Sequence, residues 1–121
     1  MRVIDIKNKS NGKVICRNCE IAENFISKAI GLMFNRKKDR NIFFVFENES
    51  KNPIHSIFVF SEFYAIYIDK NMKVTEVIKV RPFSKWVENK TPSKYLLETI
   101  KPDSVPKKGE EIKCSDGRFL K

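Results

Sequence analysis

Ile42-Phe43-Phe44-Val45-Phe46 is the stretch on which the fold turns. Five consecutive apolar residues, all of them β-branched or aromatic, form too short a run for a buried helix. They alternate with nothing polar, so they predict a strand covered on both faces. A strand of that kind needs neighbours on either side and a layer above and below. The rest of the chain supplies short segments of the same character.

Working outward, Val3-Ile4-Asp5-Ile6 reads as a first strand and Val14-Ile15-Cys16-Arg17 as its hairpin partner. Asn11-Gly12 in the Lys9–Gly12 turn supplies the positive φ of a tight reversal. A helix is predicted from about Ala22 to Ile30, where Phe25, Ile26, Ala29 and Ile30 make one apolar stripe and Gly31 is placed as a C-cap. Beyond the central run, Asn48–Pro53 reads as a polar connection. Ile54–Phe60 and Phe63–Ile68 read as strands. Lys73–Val80 follows a turn at Asp69–Met72 and places Val74, Ile78 and Val80 on one face. Arg81–Lys94 has no periodicity and holds Pro82 and Pro92, a connection long enough to carry function. Tyr95–Thr99 is another strand, Lys101–Lys108 a proline-bearing loop, and Ser115-Asp116-Gly117 a second hairpin signal between Glu111–Cys114 and Arg118–Leu120. The expected class is α+β, mainly β: a small, partly closed barrel of about seven or eight short strands with one main helix.

The chain has 121 residues, 41% hydrophobic and 32% charged, with 4 Gly and 5 Pro. This composition excludes disordered, collagenous and disulfide-scaffold classes and predicts residues 1–121 as a single domain burying roughly 65% of its unfolded surface. No apolar run approaches a bilayer span and no secretory h-region is visible, so a cytoplasmic protein is expected. The formal net charge is +9, from 24 Lys+Arg against 15 Asp+Glu. Such a surplus favours encounter with nucleic acid or another polyanion. Eighteen of the cations are Lys, which lacks the planar fork of Arg, so a solubilising surface is the competing reading. Partners and oligomeric state are otherwise left open.

Several segments in fixed order carry a family resemblance. These are Gly31-Leu32-Met33-Phe34, Phe43–Phe46, His55 and the segment ending Ile66-Tyr67-Ile68-Asp69, Arg81-Pro82-Phe83, Tyr95-Leu96-Leu97-Glu98 and Gly109-Glu110-Glu111-Ile112. Together they resemble the "domain of unknown function 192" family of archaea and bacteria. That resemblance covers nearly the whole chain. It implies a compact, mainly β domain and brings no activity, substrate or cofactor. The sequence departs from the family pattern at Val59–Tyr64: Glu62 stands where Pro is usual and Tyr64 where an acidic residue is usual. Gly109-Glu110 replaces the family's Gly-Asp.

Three sets of residues could carry chemistry. Arg81, Phe83, Lys85 and Trp86 interleave cations with aromatics, the combination that neutralises phosphates and stacks on bases; the competing role is a plug for one end of the barrel. His55, the one histidine, and Glu98, set among apolar neighbours, could form an acid–base pair. Alternatively Glu98 closes a structural ion pair with Arg81. Cys16 and Cys19 form a single C-x-x-C, and with Cys114 and His55 they could make up a zinc site or a redox dithiol. The pair lacks the Gly and Pro neighbours of a zinc knuckle and Cys114 has no second C-x-x-C, so unpaired thiols are expected and no cofactor is called for. A binding module ranks first, an enzyme using His55 and Glu98 second, and a zinc or redox protein third.

Overall fold

In the computed structural model, residues 3–22, 41–50, 62–81 and 90–115 are described. Within them, the alternating Val3–Asn8 stretch exposes Val3, Asp5 and Lys7 and buries Ile4, Ile6 and Asn8, forming β1. The reversal at Gly12, φ 75°, returns the chain into β2 (Val14–Ala22). Then come β3 (Asn41–Ser50), β4 (Phe63–Ile68), β5 (Val74–Val80), β6 (Ser93–Thr99) and β7 (Ile112–Cys114). All seven join one sheet in the order β5-β4-β6-β3-β2-β1-β7. Every pairing is antiparallel except β2 with β3, where Glu20, Ile21 and Ala22 run alongside Ile42, Phe43 and Phe44 in parallel.

The sheet curls until its two outermost strands meet. Lys73, preceding β5, bridges Glu111, preceding β7. The amide of Ile112 donates to the Met72 carbonyl at 2.7 Å, that of Val74 to the Glu110 carbonyl at 2.9 Å, and that of Gly109 to the Val74 carbonyl at 2.8 Å. Gly109 sits at φ 91°, a conformation that favours glycine, so this seam depends on its identity. The result is a mainly β half-barrel.

The central run behaves as its composition demands. Phe43 falls on the inner face with Leu97 and Ile66 directly across. Ile42 and Phe44 fall on the outer face, the latter opposite Leu96 and then Tyr67. The inner cluster draws residues from all seven strands, and the Phe43 ring stacks on Tyr95 at 5.3 Å between centroids. The outer cluster covers β3, β4, β5 and β6, so the middle of the sheet is buried on both sides.

Several expectations are corrected. β2 extends to Ala22, where the helix was expected to begin; the remainder of that helix, to Ile30, lies outside the described residues. No helix occurs among the described residues. β3 continues through the predicted polar connection to Ser50. Val74 does not share a face with Ile78 and Val80. The register skips Thr75 between Tyr67↔Glu76 and Ile68↔Val74, which turns Val74 to the inner cluster while Ile78 and Val80 stay with the outer one. The Ile54–Phe60 strand and the hairpin to Arg118–Leu120 lie outside the described residues.

Candidate functional site

The C-x-x-C pair lies inside β2, and a bulge decides where its thiols go. Ile6 faces Cys16 and Ile4 faces Cys19, so two steps on β1 match three on β2. Asn18 absorbs the extra residue at φ 55°, and its amide donates to Oδ1 of Asp5 at 3.1 Å. In a regular strand, residues three apart point to opposite faces. With the bulge, both Cys16 and Cys19 enter the inner core. Cys114 reaches the same region from β7, also opposite Ile6. All three are free and buried. The hydrogen bond to Cys16, and then burial, push the Cys19 thiol far up; burial, helped by Cys16, pushes Cys114 up to about 12. Thiols held protonated are poor nucleophiles and poor metal ligands. Among the described residues no group of three or more His, Cys, Asp or Glu is arranged to hold a metal ion.

Glu98 occupies the middle of β6 on the outer face, with Ile42 on one side and Ala65 on the other. Its neighbours two residues away along the three strands include Phe44, Leu96, Phe63 and Tyr67, all in the outer cluster. The residue is 4% exposed, and Oε2 has no hydrogen bond among the described residues. Burial alone raises its carboxyl to about 8. It is therefore a neutral acid near pH 7. Arg81, the cation considered as its partner, is exposed just beyond β5, and among the described residues no cation offsets the rise. His55 lies outside the described residues, as do Phe83, Lys85 and Trp86.

A third feature runs along β5. Thr75, Val77 and Ile78, with Glu76 among them, form one side of an open groove of about 650 Å³; Lys90 and the Pro106-Lys107-Lys108 loop form the other. Glu76 fixes the groove's width. Its Oε2 accepts the amides of Lys90 at 2.7 Å and Thr91 at 3.3 Å, clasping that segment to β5. The other loop is held by the amide of Lys107 on Oε1 of Glu110 at 2.6 Å and by the Gly109–Val74 bond of the seam. Three lysines thus border a half-buried strip of apolar and hydroxyl surface. The residues Lys107 and Lys108 were not singled out from sequence. The available signal was Pro106-Lys107-Lys108-Gly109, a rigid turn presenting adjacent cations, but only the closure of the sheet brings it to β5.

Tyr64 belongs to a rung of Asn41, Thr99, Tyr64 and Lys79 across four strands. Thr99 donates to Asn41 at 2.5 Å, Asn41 to the Arg17 carbonyl at 2.9 Å, and the Lys79 ammonium lies 5.7 Å from the Tyr64 ring centroid. Tyr64 therefore recruits a cation through its ring, where a carboxylate would do so by charge.

Comparison with known proteins agrees with this architecture. A UPF0127 protein of Pyrococcus abyssi is 34% identical over 102 residues, 81% of this chain and 82% of that protein. One of Pyrococcus horikoshii is 29% identical over 97 residues, 77% and 84% of the two chains. A protein of unknown function from Novosphingobium aromaticivorans superposes with a TM-score of 0.70 at 16% identity, covering 92% of this chain and 83% of that one. A Sinorhizobium meliloti protein, named as a candidate transcription regulator, superposes with a TM-score of 0.71 at 16% identity, covering 93% and 92%. Residues 6–105 match the family described as "Uncharacterized ACR", DUF192. This chain belongs to the DUF192 family, a family of uncharacterised function.

Proposed function

We propose that this protein is a single-domain, non-catalytic binding module that takes a polyanion, a single-stranded nucleic acid first among them, along the β5 groove. The observation that carries the reading is the groove itself, bordered by Lys90, Lys107 and Lys108 over Thr75, Val77 and Ile78. Ammonium groups neutralise phosphates without reading sequence, and a half-apolar floor accepts sugar or base faces. The segment bearing Phe83, Lys85 and Trp86 leaves from Arg81 at the end of β5 and returns at Lys90, which Glu76 ties to the same strand. One of its anchors, Lys90, lines the groove and the other, Arg81, follows the strand that lines it, so we assign Arg81, Phe83, Lys85 and Trp86 to the same ligand.

The test is fluorescence anisotropy of labelled single-stranded RNA and DNA at about 50 and 200 mM salt. The expectation is micromolar binding whose logarithmic salt slope falls by about 0.7 for each groove lysine removed. No binding at the lower salt, or an unchanged slope in Lys107→Ala/Lys108→Ala, would sink the reading.

A second reading rests on the Glu98 carboxyl, held neutral by burial and so available as a proton donor. It makes Glu98 and His55 an acid–base pair. A carbon-13 titration of the Glu98 carboxyl decides it: His55→Ala shifts the midpoint if the two interact, and leaves it in place if they do not.

A further inference from the structure

On the solvent face where β1 meets β7, the register builds a ladder of exposed residue pairs. At one end Lys9 and Glu111 are joined: their ammonium and carboxylate lie 3.0 Å apart, and the Lys9 amide donates to the Glu111 carbonyl at 2.8 Å. At the other end Asp5 and Ser115 exchange bonds. The Asp5 amide donates to Ser115 Oγ and the Ser115 amide to the Asp5 carbonyl, both at 3.0 Å. The middle pair is Lys7 directly opposite Lys113. Like charges facing each other across a sheet destabilise it. Two carboxylates neighbour this pair, and neither forms an ion pair with it. Glu111 is engaged by Lys9, and Asp5 Oδ1 accepts the Asn18 amide that braces the β2 bulge. Among the described residues, neither Lys7 nor Lys113 has a carboxylate within 4.0 Å.

The two lysines also border a cavity. It measures about 210 Å³ and is lined by Asp5, Lys7, Lys113, Cys114 and Ser115. The Ser115 oxygen already accepts a hydrogen bond from Asp5, so its own proton is left to donate. Two lysines at opposed register positions and a hydroxyl lining one cavity are a donor set that suits an oxyanion carrying more than one charge. The volume admits a phosphate or a small phosphomonoester and is too small for a nucleotide chain. We infer that the Lys7–Lys113 pair, with Ser115, is a binding site for a phosphate-class oxyanion, distinct from the β5 groove, with which it shares no lining residue. The bound anion adds counter-charge where the two lysines outnumber the Asp5 carboxylate, so occupancy stabilises the β1–β7 edge.

The experiment is an NMR titration of the nitrogen-15-labelled protein with inorganic phosphate, with sodium chloride at matched ionic strength as reference. Melting curves are recorded with and without phosphate. Phosphate is expected to give saturable shifts at the amides of Lys7, Lys113 and Ser115 and to raise the melting temperature. Chloride is expected to do neither. Lys7→Ala and Lys113→Ala each weaken binding by about tenfold or more. Without phosphate they melt at or above the wild-type temperature, because the repulsion is gone; the same result in Lys7→Gln separates this from lost packing. Shifts that do not saturate, shifts reproduced by chloride, or phosphate binding unchanged in both variants would overturn the site. Lys107→Glu/Lys108→Glu leaves phosphate binding intact, so failure of this site and failure of the groove are told apart.

Discussion

Glu98 concentrates the chemical tension of the molecule in one side chain. Its carboxyl sits between Ile42 and Ala65, and burial raises it from an ordinary 4.5 to about 8. The sign of the resulting pH dependence follows directly. Below pH 4.5 the group is protonated whether the chain is folded or not, and its contribution is undiminished. Between 4.5 and 8 the unfolded chain gives up this proton and the folded one keeps it, so stability declines as pH rises. Above 8 both forms are ionised and the decline levels off. At about 1.4 kcal/mol per pH unit the loss reaches the order of 5 kcal/mol, a large part of a small domain's stability. Melting temperatures measured from pH 5 to 9 are expected to fall in the wild type and to flatten in Glu98→Gln. A wild-type profile that is flat or rising over that window contradicts the assignment. The burial of this carboxylate was legible in Tyr95-Leu96-Leu97-Glu98-Thr99, where it interrupts apolar residues. The position of Arg81, exposed just beyond β5, was not.

At the scale of elements, strands were readable and bulges were not. Val3–Asn8 and Phe63–Ile68 follow the pattern of their residues, and the run from Ile42 to Phe46 announced its double burial. β2 was cut short because Cys16-Arg17-Asn18-Cys19 breaks the two-residue period, and only a partner strand shows that the break is an inserted residue. The face of Val74 was misjudged for the same reason at Thr75. The β2 bulge carries a definite prediction. Asn tolerates the left-handed conformation of position 18, and Gly tolerates it without strain. Asn18→Gly is expected to unfold in urea within a few tenths of a kcal/mol of the wild type, and Asn18→Val to lose roughly 1–2 kcal/mol. Equal stabilities for the two would mean that the bulge is not held as described. The parallel pairing of β2 with β3 was likewise hidden, since nothing local in Glu20–Ala22 specifies the direction of a neighbour.

For the molecule as a whole, the question is whether +9 acts as a total or as a pattern. A uniform surplus attracts polyanions from any side, whereas a groove sets a track. Reversing Lys107 and Lys108 and reversing two exposed lysines elsewhere, Lys13 and Lys101, change the total equally. Nucleic-acid affinity is expected to drop much further in the first variant; equal losses in the anisotropy assay would reduce the charge to a bulk property. The groove was illegible in sequence because its two walls are far apart in the chain and meet only where the sheet closes. That closure also sets an order of events. β1 lies between β2 and β7, with Ile6 opposite Cys114. The earliest of the seven described strands is therefore also the partner of the latest, and during synthesis Ile4 and Ile6 stay half-matched until β7 has been made. During synthesis this protein is an open ribbon with an apolar edge. The seam to β5 forms only once β7 has been made, which makes the nascent chain, rather than the folded molecule, the form most in need of a chaperone.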